Sequence, residues 1–216
     1  MTIPVKETGH DIEYKLMPAG IHSAICDMVV NIGNQRGEYQ GQEIIKEKVY
    51  LRFEVPAERL EYTNKEGESV NRPMSIGSTF TNSLHEKSNL RPLLESWRGR
   101  QFTEAELKLF DLSTIAGKPC MLTVEHKVKN DKTYANITGI SKFSKTMKVA
   151  GQEVTIAEPK AEMPIVLFHP DEENESFNDL PNWLQKLVLN RVVKADEQQA
   201  EANPVKPDFT DDDIPF

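Results

Sequence analysis

Cys120-Met121-Leu122-Thr123-Val124-Glu125-His126-Lys127-Val128, the turn Asn130-Asp131, and Thr133-Tyr134-Ala135-Asn136-Ile137-Thr138-Gly139-Ile140 form the stretch whose reading decides the fold. Two apolar, partly alternating runs on either side of a short polar turn are the mark of a β-hairpin. Gly117-Lys118-Pro119 leads into the pair. Upstream, Lys48 to Val55 alternates strictly: Val49, Leu51, Phe53 and Val55 against Tyr50, Arg52 and Glu54. That period of two predicts a half-buried strand, and Pro56, which lacks a donor, predicts its end. Before it, Gly20 opens an apolar, partly β-branched run through Ile32 that Gly33 closes, and Gly33 to Gly41 is expected to be a flexible loop. A polar turn at 63–71 precedes a weaker third strand, Arg72 to Thr81.

Helical signals separate this third strand from the hairpin. Ser83-Leu84-His85-Glu86 and Thr103-Glu104-Ala105-Glu106 both fit a capping box, with Phe102 and Leu107 as the apolar staple of the second. Leu93, Leu94 and Trp97 make one helical stripe, with Pro92 in the first turn and Gly99 as the stop. After the hairpin, residues 141–178 are mostly irregular, with short strands expected at 146–149 and 152–156. Trp183, Leu184, Leu187, Val188 and Val192 then recur at helical spacing over 181–193. From Lys194 the apolar periodicity is gone, and a disordered acidic tail is expected. The order β-β-β, helices, β-β, helix predicts a mainly β chain. Its expected form is a five-stranded Greek-key barrel of the oligonucleotide/oligosaccharide-binding (OB) type. Helices lie between strands three and four, with a C-terminal amphipathic helix and the tail behind. Residues 1–194 form that domain and 195–216 the tail.

With 216 residues and 38% apolar content, the chain can bury a real core. It has no run of about 18 apolar residues to span a membrane, and its start lacks a secretory pattern. Cys26 and Cys120 are too few for a disulfide framework and fall on apolar strand patterns, so both are expected as small core residues in a cytoplasmic protein. The net charge of −8 argues against a nucleic-acid ligand until it is mapped. Residues 72–148 carry net +6 and residues 195–216 carry net −6, so a basic middle is followed by an acidic end.

The chain ends Pro207-Asp208-Phe209-Thr210-Asp211-Asp212-Asp213-Ile214-Pro215-Phe216. This resembles the C-terminal tip of bacterial single-stranded-DNA-binding proteins, an acidic run closing in Asp-Asp-Ile-Pro-Phe. The body, through Asn89-Leu90-Arg91-Pro92-Leu93-Leu94-Glu95-Ser96-Trp97-Arg98-Gly99, Gly117-Lys118-Pro119-Cys120 and Lys132-Thr133-Tyr134-Ala135-Asn136-Ile137, resembles phage-encoded single-stranded-DNA-binding proteins over about residues 70–140. The resemblance implies single-strand DNA binding during phage replication, recombination or repair, in the cytoplasm of a bacterial host. Host or phage replication, recombination and repair proteins would be recruited through Asp211, Asp212, Asp213, Ile214, Pro215 and Phe216. Physically, Phe216 offers a ring and an α-carboxylate to an apolar pocket flanked by a cation, and the aspartates hasten encounter with a basic ridge. A homo-oligomer is compatible with this reading, and no cofactor or metal is expected.

Binding unpaired strands without sequence preference takes cations along the backbone and rings under the bases. If Val49, Leu51, Phe53 and Val55 point inward, Tyr50 and Arg52 point outward. If Ala135 and Ile137 point inward, Tyr134 and Asn136 point outward. Lys127, Lys129 and Lys132 flank the hairpin loop, and Arg72, Lys87, Arg91, Arg98, Arg100 and Lys118 add charge. Trp97, Trp183, Phe53 and Phe110 are expected in the core. Catalysis is not expected: the five histidines are scattered and no Cys-x-x-Cys, phosphate loop or hydrolase motif occurs. Asp171-Glu172-Glu173-Glu175 fits a solvated acidic loop better than a magnesium-dependent nuclease site. The rival reading is an adaptor that carries the bacterial tip and leaves DNA alone.

Overall fold

The structure, a computed structural model, describes residues 15–63, 67–172 and 175–193. It is mainly β, an open antiparallel sheet with few helices. The strands are β1 (Gly20–Tyr39), β2 (Gln42–Thr63), β3 (Ser69–Thr81), β4 (Pro119–Lys129), β5 (Lys132–Lys142), β6 (Thr146–Val149), β7 (Gln152–Thr155) and β8 (Val166–Phe168). The helices are α1 (Leu90–Arg98), α2 (Glu104–Leu109) and α3 (Asn182–Leu189), with 3-10 turns at Leu112–Ile115 and Glu175–Asp179. The sheet runs β3-β2-β1-β4-β5, and β8 joins β1 in parallel beside Met28–Val30. β6 and β7 form a separate hairpin.

The decisive hairpin forms as expected. Asn130 and Asp131 take positive φ, 51° and 60°, which a two-residue turn with the twist of its strands requires. The expected loop at 33–41 does not exist. β1 continues to Tyr39, turns through Gln40 and Gly41 (φ 50° and 79°), and β2 returns in register from Gln42. The polar composition misled because this ribbon extends past the core, where neither face has to be apolar. Pro56 does not end β2 either. It falls in the register shift between Val55 and Arg59, where a residue without a donor costs no ladder bond.

Ser83 starts no helix. Its Oγ accepts from the His85 amide, two residues on, which closes a local turn in place of a capping box. Thr103 does cap α2: its Oγ1 accepts from the Glu106 amide while Glu106 accepts from the Thr103 amide. Gly99 ends α1 in the left-handed region, φ 72°.

The main core lies on one side of the sheet. Ala24, Cys26, Leu51, Phe53, Val55, Cys120 and Leu122 pack there against Leu90, Leu94 and Trp97 of α1. Trp97 donates its indole N–H to the Pro119 carbonyl at 2.9 Å, so it is a core residue. Both thiols are buried, and burial pushes them well above the ordinary cysteine range. A second core lies on the opposite side of β1 and β2. Met28, Val30, Ile32 and Tyr50 meet Val166, Phe168, Leu180, Leu184 and Val188 from the C-terminal segment. Fully burying each such aliphatic side chain stabilises by about 1.5–3 kcal/mol, so this layer is a permanent part of the fold.

Candidate nucleic-acid interface

The outward row of β2 begins with Lys48, Tyr50, Arg52 and Glu54, opposite Thr81, Thr79, Gly77 and Ser75 of β3. Two of these residues, Tyr50 and Arg52, are candidate DNA contacts, and the structure corrects both. Tyr50 does turn away from the main core, yet it is only 9% exposed because α3 crosses over it. Its ring meets the edge of Trp183 with centroids 5.1 Å apart and planes at 85°. Burial pushes its phenol up to about 12. Arg52 is spent on Asp27, a fully buried carboxylate, through bonds of 2.9 and 2.7 Å. Burial raises the Asp27 carboxyl and Arg52 pulls it back down in part. Glu54, also fully buried, accepts the backbone N–H groups of Glu162 and Met163 at 2.8 and 2.9 Å, which pins the C-terminal segment over this face.

The β4–β5 hairpin keeps its outward face open. Lys127 lies opposite Tyr134, Lys129 opposite Lys132, and Glu125 opposite Asn136. Side chains directly opposite one another share a face, so Lys127, Lys129, Lys132, Tyr134 and Asn136 stand in one row. The three lysines and Tyr134 are exposed, the ring 47%, while Asn136 is half-buried and donates to the Tyr134 carbonyl. Ala135 and Ile137 pack inward on the main core, as the alternation requires. Val128, on the other face, is 73% exposed, so the tip stands clear of the core on both sides.

The remaining cations do not join this row. Arg91 bonds Glu95 at 3.0 Å, and the Phe102 amide with Arg91 holds the Glu95 carboxyl below its ordinary value. Arg98 and Arg100 both close on Glu106, whose carboxyl is held far below the usual range by Arg100, the Thr103 amide and Arg98. Arg98 also lies over the Phe102 ring, 4.1 Å from its centroid. Arg72 lies over the Tyr62 ring at 5.9 Å. Lys87, in the turn after Ser83, and Lys118, before β4, are exposed and apart from the hairpin. Asp211, Asp212, Asp213, Ile214, Pro215 and Phe216, with the whole 195–216 tail, lie outside the described residues.

A cleft of about 660 Å³ opens among Val29, Val49, Leu84 and Phe110 and carries Glu47, Asp111 and Glu172 but no Lys or Arg in its lining. Phosphate is repelled there. No helix among the described residues is long and apolar enough to cross a membrane. No family model matches the chain, and no curated protein matches it significantly.

Sequence reasoning missed Trp183, which was assigned to the core and is instead 47% exposed at the edge of the covered face. It also missed the pairing of Asp27 with Arg52. A carboxylate inside the apolar run Ile25-Cys26-Asp27-Met28-Val29-Val30 was the available signal, because such a group needs a buried partner.

Proposed function

We propose that the chain binds single-stranded DNA with little sequence preference and recruits other proteins through Asp211 to Phe216. The observation that carries the DNA half is the outward row of the β4–β5 hairpin, where exposed lysines flank an exposed tyrosine ring. Cations spaced along a strand suit a phosphate backbone, and a ring between them suits any base. The sheet order supports the reading further. In the order β3-β2-β1-β4-β5, β1 is shared between two hairpin-connected halves. The edge strands β3 and β5 also approach one another. We infer a barrel of the OB type from that order. In such barrels the 4–5 loop borders the ligand groove. The recruitment half rests on the tip's resemblance to that of bacterial single-stranded-DNA-binding proteins, and the body's resemblance to phage proteins points to replication, recombination and repair as the setting.

One observation favours the adaptor reading. Tyr50 is covered, and Arg52, Arg91, Arg98 and Arg100 are already held by carboxylates, so these candidate contacts are occupied within the fold. A mobility-shift titration separates the two. DNA binding requires a shift of oligothymidylate that excess duplex does not displace, whereas an adaptor leaves the oligonucleotide unshifted at every protein concentration.

A further inference from the structure

We propose that Trp183, on the appended helix α3, is a base-stacking platform for single-stranded DNA. The inference rests on the DNA-binding reading above and gives it a second contact, away from the β4–β5 strands on α3. A tryptophan is usually mostly buried; Trp183 is 47% exposed. It is nonetheless held in place. Its edge-on contact with Tyr50, at 5.1 Å and 85°, fixes the indole, so little freedom remains to be lost when a base lies on it.

The surroundings suit a nucleotide. Beside Tyr50 the outer face of β3 is open, with exposed Ser75 and Thr79 on either side of Gly77. Gly77 is there for a reason: a Cβ at that position would stand 2.1 Å from the Tyr50 hydroxyl. The missing side chain lets Tyr50 lie across β3 on the Gly77 backbone, with the Ser75 and Thr79 hydroxyls making a shallow floor on either side of the covered glycine. Lys48, two residues before Tyr50 on the same outward row, donates to Thr81 Oγ1 at 2.9 Å at one end of this floor. Lys186, one helical turn after Trp183, is exposed on the helix. The exposed indole, exposed Lys186 one turn on, and the Ser75 and Thr79 hydroxyls beside Tyr50 supply a ring, a cation and hydrogen-bonding groups, which a sugar-phosphate chain with a stacked base uses together. The C-terminal helix that removes Tyr50 from the surface thus puts a larger ring in its place.

The test is the intrinsic fluorescence of the full chain titrated with oligothymidylate, run beside the anisotropy of a labelled oligonucleotide. The chain has two tryptophans, and Trp97 is buried with its N–H bonded, so a base can reach Trp183 alone. The expected result is quenching that tracks binding and disappears in Trp183→Leu and Trp183→Phe. Trp183→Leu keeps an apolar cover on Tyr50 and should weaken binding about 5- to 150-fold, the worth of one stacked base. Trp183→Phe, which keeps a ring, should retain most of the affinity. Undiminished binding in Trp183→Leu, or binding without quenching, overturns the platform and leaves the DNA-binding reading standing. A change of oligomeric state in Trp183→Leu with unchanged affinity assigns the ring to a contact between copies and also overturns it. Absence of binding by the unaltered chain defeats both.

Discussion

Arg52 closes on Asp27 with two of its nitrogens on the same carboxylate oxygen, at 2.9 and 2.7 Å, and the carboxylate is fully buried. A residue that alternation marks as a surface cation is therefore the counter-ion of a charge inside the sheet. Removing it should leave that charge unpaired. Arg52→Ala is expected to destabilise by about 3–5 kcal/mol at neutral pH, and adding Asp27→Asn should recover a large part of the loss. Denaturant melts of the unaltered chain and the two variants check this.

The pH dependence of that penalty has a definite sign. Burial holds the Asp27 carboxyl above its ordinary value even with Arg52 present, and losing Arg52 raises it further. A group whose folded value is raised adds stability below the unfolded value and loses it as pH rises through the raised one. The gap between Arg52→Ala and the unaltered chain should thus shrink toward about pH 4 and widen toward about pH 7. A gap independent of pH would mean that Asp27 is not the group affected.

Glu106 behaves in the opposite sense. Its carboxyl is held far below the ordinary glutamate range by Arg100, the Thr103 amide and Arg98. Whatever it contributes is present above the unfolded value and fades as pH falls toward the lowered one. Carboxyl titration followed by NMR should show Glu106 still ionised where exposed glutamates have protonated, and Arg98→Ala with Arg100→Ala should return it toward them.

Gly77→Ala tests the packing under α3. The new Cβ would stand 2.1 Å from the Tyr50 hydroxyl and 2.4 Å from the ring carbon that bears it, and Trp183 blocks the ring's retreat. A loss of about 1–3 kcal/mol is expected from overpacking. In a Tyr50→Ala background the same substitution should cost much less, which thermal melts of the double-mutant cycle can measure.

These two sites also mark how far the sequence could be read. The β4–β5 hairpin, α1 with its Gly99 stop, the Thr103 capping box and the short strands expected at 146–149 and 152–156 were legible because each rests on local rules of alternation, capping or turn chemistry. The cover over Met28, Val30, Ile32 and Tyr50 was not, because it depends on contacts between residues more than a hundred positions apart. One sign was available. The run Ile25 to Ile32 is apolar at almost every position, and a strand with one wet face would alternate. β8 is three residues long and leaves no periodic trace. Of the candidate contacts, alternation placed Tyr134 and Asn136 correctly on an outward face, since β5 lies at an edge and no described residue packs outside its tip. The same rule failed for Tyr50 and Arg52 because alternation gives the direction of a side chain and not what lies beyond it.

Deleting residues 207–216 should separate the two halves of the proposed function. The removed segment is acidic and, on the proposed reading, would compete for the cations that meet DNA, so affinity for oligothymidylate should stay the same or rise, more visibly at low salt. Recruitment of replication and repair proteins to coated DNA should be lost. Anisotropy and co-sedimentation on DNA-bearing beads measure the two effects separately, and a large fall in DNA affinity would contradict the division.

The central claim, that the outward row of the β4–β5 hairpin grips the phosphate chain, is tested most directly by the salt dependence of oligothymidylate binding in the unaltered chain and in Lys127→Ala with Lys132→Ala. Each neutralised phosphate contributes a slope of about −0.7 in log K against log salt on single strands. The double variant should bind more weakly and with a slope shallower by about 1.4. An unchanged slope in the double variant, or binding by the unaltered chain that ignores salt, would contradict the account.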